Sequence, residues 1–428
     1  MTEPLLGSDW LTELERYQKL VVGFSGGLDS TVLLHYLSSY PALYNKLSAI
    51  HIHHGLSANA ATWAEHCQRV CASLGIPLVI RHIEFNRTAN IEENARRARY
   101  QEFASMLSIN DCLLLGHHQD DQAETLLLQL LRGAGVDGLA AMAPVKKLAG
   151  HNLCRPLLMH PRQTLVDYAR LHHLSWIEDE SNQNQAFSRN YLRHQVMPLL
   201  HDKWPGAAAN LARTAHHCQQ AQANLEDLAL LDCPALADRH ATFSLDSLRN
   251  LSHARVSNVV RVWLKNNSIR APSANVFNCL IDEVIFAKSD AQPCVQWHDI
   301  AIKRYRQTLY IVPDKKISPL LMQKWYNFPQ PVRINNMLLH ATLTDKGIKV
   351  PKGAHISVGF RQGGEQITWH GQTKELKKLL QQWQVPPWQR AEIPLIYIND
   401  CLAAVVGFAI SDHYFSKDGE NVYAIRFQ

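Results

Sequence analysis

No stretch of this sequence approaches the roughly 20 consecutive apolar residues that a helix needs to cross a bilayer, so a membrane-spanning helix is not expected. The opening residues, MTEPLLGSDWLTELERYQ, lack the basic start, apolar core and small-residue cleavage site of a secretory signal. A cytoplasmic setting without a membrane partner is the expectation. Cysteine is sparse and scattered, at positions 67, 71, 112, 154, 218, 233, 279, 294 and 401. That spacing excludes a disulfide framework, and we expect buried or inert thiols. No C-x-x-C occurs, which removes the usual ligands of an iron–sulfur cluster. Neither sign of charge dominates: 43 Lys and Arg against 38 Asp and Glu leave a formal +5, which permits a nucleic-acid partner without demanding one. Internal repeats and low-complexity tracts are missing too.

What is present is a long, mixed chain. At 428 residues it exceeds one ordinary core, so two or three domains are expected. Apolar, strand-like runs at 20–24, 47–53, 78–83 and 112–116 alternate with segments of helical period at 30–40, 58–74, 91–107 and 120–132. This alternation predicts an α/β fold built on a doubly wound parallel sheet, with ligands beyond the carboxyl ends of the strands. After MPLLHDKWPG (197–206) the pattern becomes mainly helical to about residue 290, and VQWHDIAIKRYRQTLYIVP then reads as a hairpin. A Pro- and Asn-containing stretch (317–336) leads to a small α+β segment with one basic helix, TKELKKLLQQW. Three domains follow from this reading: 1–205, catalytic and nucleotide-binding; 206–315, mainly helical; and 316–428, α+β including a linker.

The join between the first strand and first helix carries the chemistry. In KLVVGFSGGLDSTVLLH, two glycines and flanking hydroxyls stand where a strand turns into a helix. Amides of such a turn converge on a volume suited to phosphate, and glycine permits positive φ and close approach of a ligand. A Walker-A loop is excluded because its lysine is missing. Ser25, Gly26, Gly27, Leu28, Asp29 and Ser30 are therefore the ATP-binding candidates, cradling pyrophosphate, with Asp29 helping to hold Mg²⁺. Asp29, Ser30 and Thr31 are the cap-type residues at the helix start.

Further polar clusters follow the second and fourth strands. In GHHQDDQAE, a helix starting near Asp120 places Asp121 and Glu124 on one face at its N-terminus. They suit Mg²⁺ binding, acceptance of a proton, or capture of an ammonium group. Alternatively, Asp120 caps that helix and Glu124 completes a capping box. His51, His53, His54, His117 and His118 invite a zinc reading. No cysteine or carboxylate pattern of zinc spacing accompanies them, so a nucleotide-pocket lining is preferred and zinc is not expected. Cys67 and Cys71 fall on a helical segment as core residues. Arg96, Arg97 and Arg99 crowd one helix, where Glu92 and Glu93 stand at pairing distance in sequence. Lys374, Lys377 and Lys378 recur at helical spacing, a cationic stripe suited to RNA phosphates.

The SGGLDS segment resembles the PP-loop ATP pyrophosphatase superfamily, whose members adenylate an oxygen and release pyrophosphate. AIHIHHGLSANA, NIEENARRARYQEF, GHHQDDQAETLLLQLLRGAGVDGLAAM and WIEDESNQNQAFSRNYLRHQVMPLL narrow the resemblance to the tRNA(Ile)-lysidine synthetase family. RQGGEQI, ELKKLLQQWQVPPWQR and PLIYINDCLAAVVG extend it toward the C-terminus. His53 and Ser57 depart from the family pattern, where many relatives carry Asp and Arg. The resemblance implies a carbon–nitrogen ligase that joins the ε-amine of free L-lysine to carbon 2 of the wobble cytidine in the CAU anticodon of tRNA(Ile). It implies ATP and Mg²⁺ as requirements, an adenylated cytidine on the way, and AMP and pyrophosphate as products. The changed base would read AUA in place of AUG.

By the same likeness, Asp121 and Glu124 join Asp29 as catalytic carboxylates, with Asp121 as a second candidate for Mg²⁺. Arg97 and His117, and Arg189 with Asn190, become candidate contacts to substrate or phosphate. Lys374, Lys377 and Lys378 become candidate tRNA contacts. A homodimer is left open. The rival reading is a PP-loop enzyme that thiolates tRNA cytidine. An amidotransferase related to asparagine synthetase would need a cysteine where Thr2 stands.

Overall fold

A computed structural model describes residues 4–53, 55, 59–85, 91–287, 291, 293–314, 322–334, 337–417 and 421–427, except for the side chains of Glu92 and Ser181. His54, Ser57 and part of the 317–336 stretch lie outside the described residues. The chain divides into two compact units, 1–231 and 232–428.

In the first unit the alternation of the sequence is realised as a doubly wound sheet. Strands β1 (Lys19–Gly23), β2 (Leu47–His53), β3 (Leu78–His82) and β4 (Asp111–Leu114) alternate with helices α1 (Leu28–Ser38), α2 (Ala60–Leu74), α3 (Ile91–Ser105) and α4 (Gln119–Leu131). The chain then adds β5 (Val145–Leu148), β6 (His151–Cys154) and α5 (Arg162–Leu171). The strand order is β3-β2-β1-β4-β6-β5, all parallel except β5, which pairs antiparallel with β6 at the edge. The β5–β6 hairpin is a refinement of the expected sheet. Ala149 and Gly150, both at positive φ, form its turn.

Successive side chains of a strand face opposite ways, so a strand that is apolar throughout must be covered on both sides. β1 does this: Leu20 and Val22 enter one core with Val32, Leu33, Cys67, Cys71 and Leu165, while Val21 enters the other with Ile50, Phe103 and Leu113. Helices α1, α2 and α5 cover the first face, and α3 covers the second. α2 ends where Gly75 turns left-handed at φ 67° ahead of Ile76 and Pro77.

Two local expectations are corrected here. α1 begins at Leu28, with Gly27 as its N-cap and no side-chain cap. Ser30 and Thr31 donate back to the Gly27 carbonyl at 3.1 and 2.9 Å. The first half of the expected capping box also differs: His118 is the N-cap of α4, and Asp121 accepts the His118 N–H at 3.1 Å. Asp120 instead accepts the N–H of Arg162 at 2.9 Å, at the start of α5.

The second unit contains a helix His253–Asn266, whose Val256, Val259, Val260, Trp263 and Leu264 are buried. The expected hairpin proves to be a meander of strands Cys294–Trp297, Ile300–Tyr305 and Thr308–Pro313, joined by Thr242–Ser244 into a four-stranded antiparallel sheet. Arg304, 3% exposed, donates from Nη1 to the carbonyls of Val284, Ile285 and Ala287, ending the helical turn before them. Trp388 packs edge-on against Tyr305 and Tyr310.

Toward the C-terminus, the long strand Met337–Lys349 pairs with Val422–Phe427, and Ile356–Gly359, Leu395–Ile398 and Cys401–Val405 form a second sheet. The segment TKELKKLLQQW is split. Gln372–Glu375 is a strand pairing with Gln366–Trp369, and the helix runs only from Leu376 to Gln382. Lys374 is thus off the helix, with Nζ 5.4 Å from the Trp369 ring centroid. Of the free thiols, Cys67, Cys71, Cys112, Cys154 and Cys233 are buried, Cys218 and Cys279 half-buried, and Cys294 and Cys401 exposed.

Candidate active site

The glycine turn stands at the carboxyl end of β1, the edge where a doubly wound sheet binds ligands. Gly26 adopts φ 82°, and a Cβ there would meet Cys67 Sγ at 2.9 Å and Ile177 Cδ1 at 3.0 Å. Conformation and space both demand glycine. Ser25 and Ser30 shape the turn: Ser25 N–H donates to Ser30 Oγ at 3.2 Å, and Gly27 N–H to Ser25 Oγ at 3.3 Å. Ile177 N–H donates to the Gly26 carbonyl at 2.9 Å, tying the segment after α5 to the same turn.

Asp29 sits in the first turn of α1, where the helix dipole favours a negative charge. Its Oδ1 is buried without a hydrogen-bond partner, and burial raises its pKa despite His118. Such a carboxylate is suited to a cation supplied from outside the chain. Gly116, after β4, packs directly on the Asp29 backbone, since a Cβ at Gly116 would lie 2.9 Å from the Asp29 carbonyl carbon and oxygen. The fourth strand's polar residues are thereby set beside the phosphate turn.

His118, 1% exposed, links the carboxylates. Its ring nitrogens lie 3.7 Å from Asp29, 3.5 Å from Asp120 and 3.4 Å from Asp121. Burial alone would lower its pKa, but Asp121, Asp120 and Asp29 together raise it.

Asp121 and Glu124 do share a face of α4, and both are buried. Two arginines hold them. Arg189 donates to Glu124 Oε2 at 2.7 Å and Asp121 Oδ1 at 2.9 Å. Arg193 donates to Glu124 Oε1 at 2.6 Å and Asp121 Oδ1 at 3.0 Å. Burial opposes ionisation of Asp121, yet His118, Arg189 and Arg193 hold its carboxyl well below the usual range. Arg193 lies in a π-helical turn, Leu192–Val196, between Ser188–Tyr191 and Met197–Lys203. Wide turns of this kind re-aim side chains and recur at functional sites.

The other expected residues scatter. His117 stands next to His118 and accepts from Arg155. Arg97 is exposed on α3 and donates to Asn94 at 3.3 Å. Arg96 and Arg99 lie over the Tyr100 ring, at 5.3 and 5.8 Å from its centroid. Asn190 donates to the Asn184 carbonyl at 3.0 Å. His51 is buried beneath the turn, its Nδ1 donating to the Phe24 carbonyl at 2.9 Å. Lys374, Lys377 and Lys378 belong to the second unit. Arg193 and Arg155 were not singled out from sequence. Arg193 was legible as the partner of Arg189 at i+4 in SRNYLRHQV, a spacing that puts both guanidiniums on one helix face. Arg155 carries no such local signal.

Family models match the chain in three places. One described as a PP-loop domain covers residues 8–200, a TilS substrate binding domain covers 243–310, and a TilS substrate C-terminal domain covers 356–427. The chain is 53% identical over 427 residues to a tRNA(Ile)-lysidine synthase of Legionella pneumophila (strain Lens), covering 99% of each chain. It is 37% identical over 437 residues to that of Serratia proteamaculans (strain 568), covering 100% of both. For that of Coxiella burnetii (strain RSA 493 / Nine Mile phase I) the figure is 38% over 421 residues, covering 96% of this chain and 93% of the other.

Proposed function

Because the chain belongs to the tRNA(Ile)-lysidine synthase family, we propose that it joins free L-lysine to carbon 2 of the wobble cytidine in the CAU anticodon of tRNA(Ile), at the expense of ATP. The observation that carries this reading is the meeting of a phosphate turn, the Asp29 carboxylate with its buried, unpartnered Oδ1, and the Asp121–Glu124 pair at one edge of one sheet. Cytosine's 2-oxo group is a poor leaving group. In the first step its oxygen attacks the α-phosphorus of ATP and pyrophosphate departs. In the second, the lysine ε-amine attacks carbon 2, the C2–O bond breaks, AMP leaves with the oxygen, and the nitrogen gives up a proton.

The chain's groups fit these steps. Amides of Gly26 and Gly27, with Ser25 and Ser30, form the pyrophosphate cradle. Asp29 would hold Mg²⁺, with Asp121 as second candidate; when bound, the ion offsets phosphate charge. Asp121, ionised through its arginine and histidine neighbours, and Glu124 are the carboxylates that would receive the lysine ammonium, in exchange for contacts now made by Arg189 and Arg193. Arg97, His117, Arg189 and Asn190 are proposed substrate or phosphate contacts, and Lys374, Lys377 and Lys378 proposed tRNA contacts. We assign catalysis to 1–205 and tRNA recognition to 206–315 and 316–428, in the cytoplasm. Cytidine thiolation is not favoured, given full-length relatives named for lysidine synthesis. Incubation with ATP, labelled lysine and bulk tRNA, followed by nucleoside analysis, tests the reading. Lysine in a cytidine-derived nucleoside is expected; incorporation of sulfur, or no change to the tRNA, overturns it.

A further inference from the structure

At the carboxyl edge of the sheet the chain buries an arginine with no carboxylate beside it. Arg155 directly follows Cys154, the last residue of β6, and is 4% exposed. Its Nη1 donates to the Ala143 carbonyl at 2.7 Å and its Nε to His117 Nδ1 at 3.2 Å. Among the described residues no ion pair is formed by it. Burial lowers its pKa, but a guanidinium keeps its proton in a protein. The contact to His117 therefore has a single polarity, with Nδ1 accepting. A neutral imidazole that accepts at Nδ1 carries its proton on Nε2, and a doubly protonated ring would set two N–H groups against each other.

The surroundings agree with a neutral ring. Burial, opposed by Asp121 of α4 and reinforced by Arg155, Arg189 and Arg96 of α3, brings the pKa of His117 down to about 3. His117 itself follows Gly116, which packs on the backbone of Asp29 and Ser30, so the chain leaves β4 for His117 at the phosphate turn.

We propose that Arg155 is a positioning residue that locks His117 as a neutral Nε2–H donor, and that this donor's acceptor is a phosphate oxygen of ATP during adenylyl transfer. The inference rests on the lysidine reading for its second half and on geometry alone for its first. It removes His117 from acid–base duty: the ring gives a hydrogen bond and neither takes nor delivers a proton. A preset donor costs no reorganisation when charge develops, and loss of one such donor lowers a rate by about a hundredfold or more.

Two arms test it on the full chain. The first reads the tautomer by ¹⁵N NMR of histidine-labelled free protein, with His117 assigned by its loss in H117Q. Protonated Nε2 and bare Nδ1 are expected, with mixed tautomers in R155M, which has no donor, and the native pattern restored in R155K, which keeps one within reach. A proton on Nδ1 in the native chain, or an unchanged ring in R155M, overturns the positioning role. The second arm measures tRNA-dependent pyrophosphate release. Gln places an N–H where Nε2 stands and Asn places one where Nδ1 stands, so H117Q should stay within about tenfold of native while H117N falls about a hundredfold or more. Equal loss in both, or a better H117N, overturns the donor role. Turnover of the native chain is the separate check on lysidine formation, so failure of that reading is told apart from failure of this one.

Discussion

Asp29 carries its charge where the fold opposes it. With Oδ1 buried and unpartnered and the pKa raised by burial, the ionised form is held at a cost in the free protein. A raised carboxylate pKa means stability is lost as pH rises through it, so near neutrality the neutral isostere is relieved of that cost. D29N should therefore raise the melting temperature while lowering turnover at least about a hundredfold. A lowered melting temperature, or near-native pyrophosphate release, would remove Asp29 from the role given to it. Asp121 behaves oppositely. Its pKa is depressed in the folded chain, so its contribution is present above the unfolded value of about 3.9 and lost as pH falls below it. D121N should be less stable near neutrality, and its acid limb should be shallower between about pH 5 and 2, as thermal melts across that range would show. The loop residues were legible because a phosphate turn is a local pattern. The arginines that embrace Asp121 and Glu124 come from more than sixty residues away, and only Arg189 was suspected.

The elements of the first unit were legible because strand and helix periods differ and buried parallel strands leave long apolar runs. Where polar residues face water, the pattern weakens. Val145–Leu148, with two lysines, carries no strand pattern, and most of Gln372–Glu375, entirely polar or charged, falls in the segment expected to be a basic helix. Both hairpins turn on adjacent residues at positive φ, Ala149-Gly150 and His370-Gly371, whose glycine was the available clue. The split of the basic segment bears on RNA binding. Lys377 projects from the short helix with no ion pair among the described residues, while Lys378 lies 3.5 Å from Glu375. Both are exposed, and an exposed pair of this kind is worth little. K377E and K378E should each raise the KM for tRNA and reduce its salt dependence, leaving kcat alone, whereas K374E should also disturb Trp369. Unchanged KM at low salt for all three would make this face mere surface.

At the scale of the whole molecule, the reading predicts which substrate is activated. Lysine bonds through its amine, so its carboxylate has no reason to be adenylated, and the electrophile belongs to the RNA. Pyrophosphate release should require tRNA bearing a CAU anticodon, and adenylated tRNA should accumulate when lysine is withheld; lysine-dependent ATP–pyrophosphate exchange without tRNA would reverse this order. The limits of the units were only partly legible from sequence, because they depend on which long-range contacts close: the two units meet at 231/232, inside the segment expected at 206–315.

The thiols offer a way to follow RNA binding without altering the chain. Exposed Cys294 and Cys401 both belong to the second unit, while Cys67, Cys71, Cys112 and Cys154 of the first are buried. A thiol's reactivity follows its accessibility, so a maleimide applied briefly would mark the second unit and leave those four silent. Half-buried Cys218 of the first unit and Cys279 of the second are followed alongside, peptide by peptide in a mass spectrum, and bound tRNA that covers Cys294 or Cys401 would register as slowed labelling there.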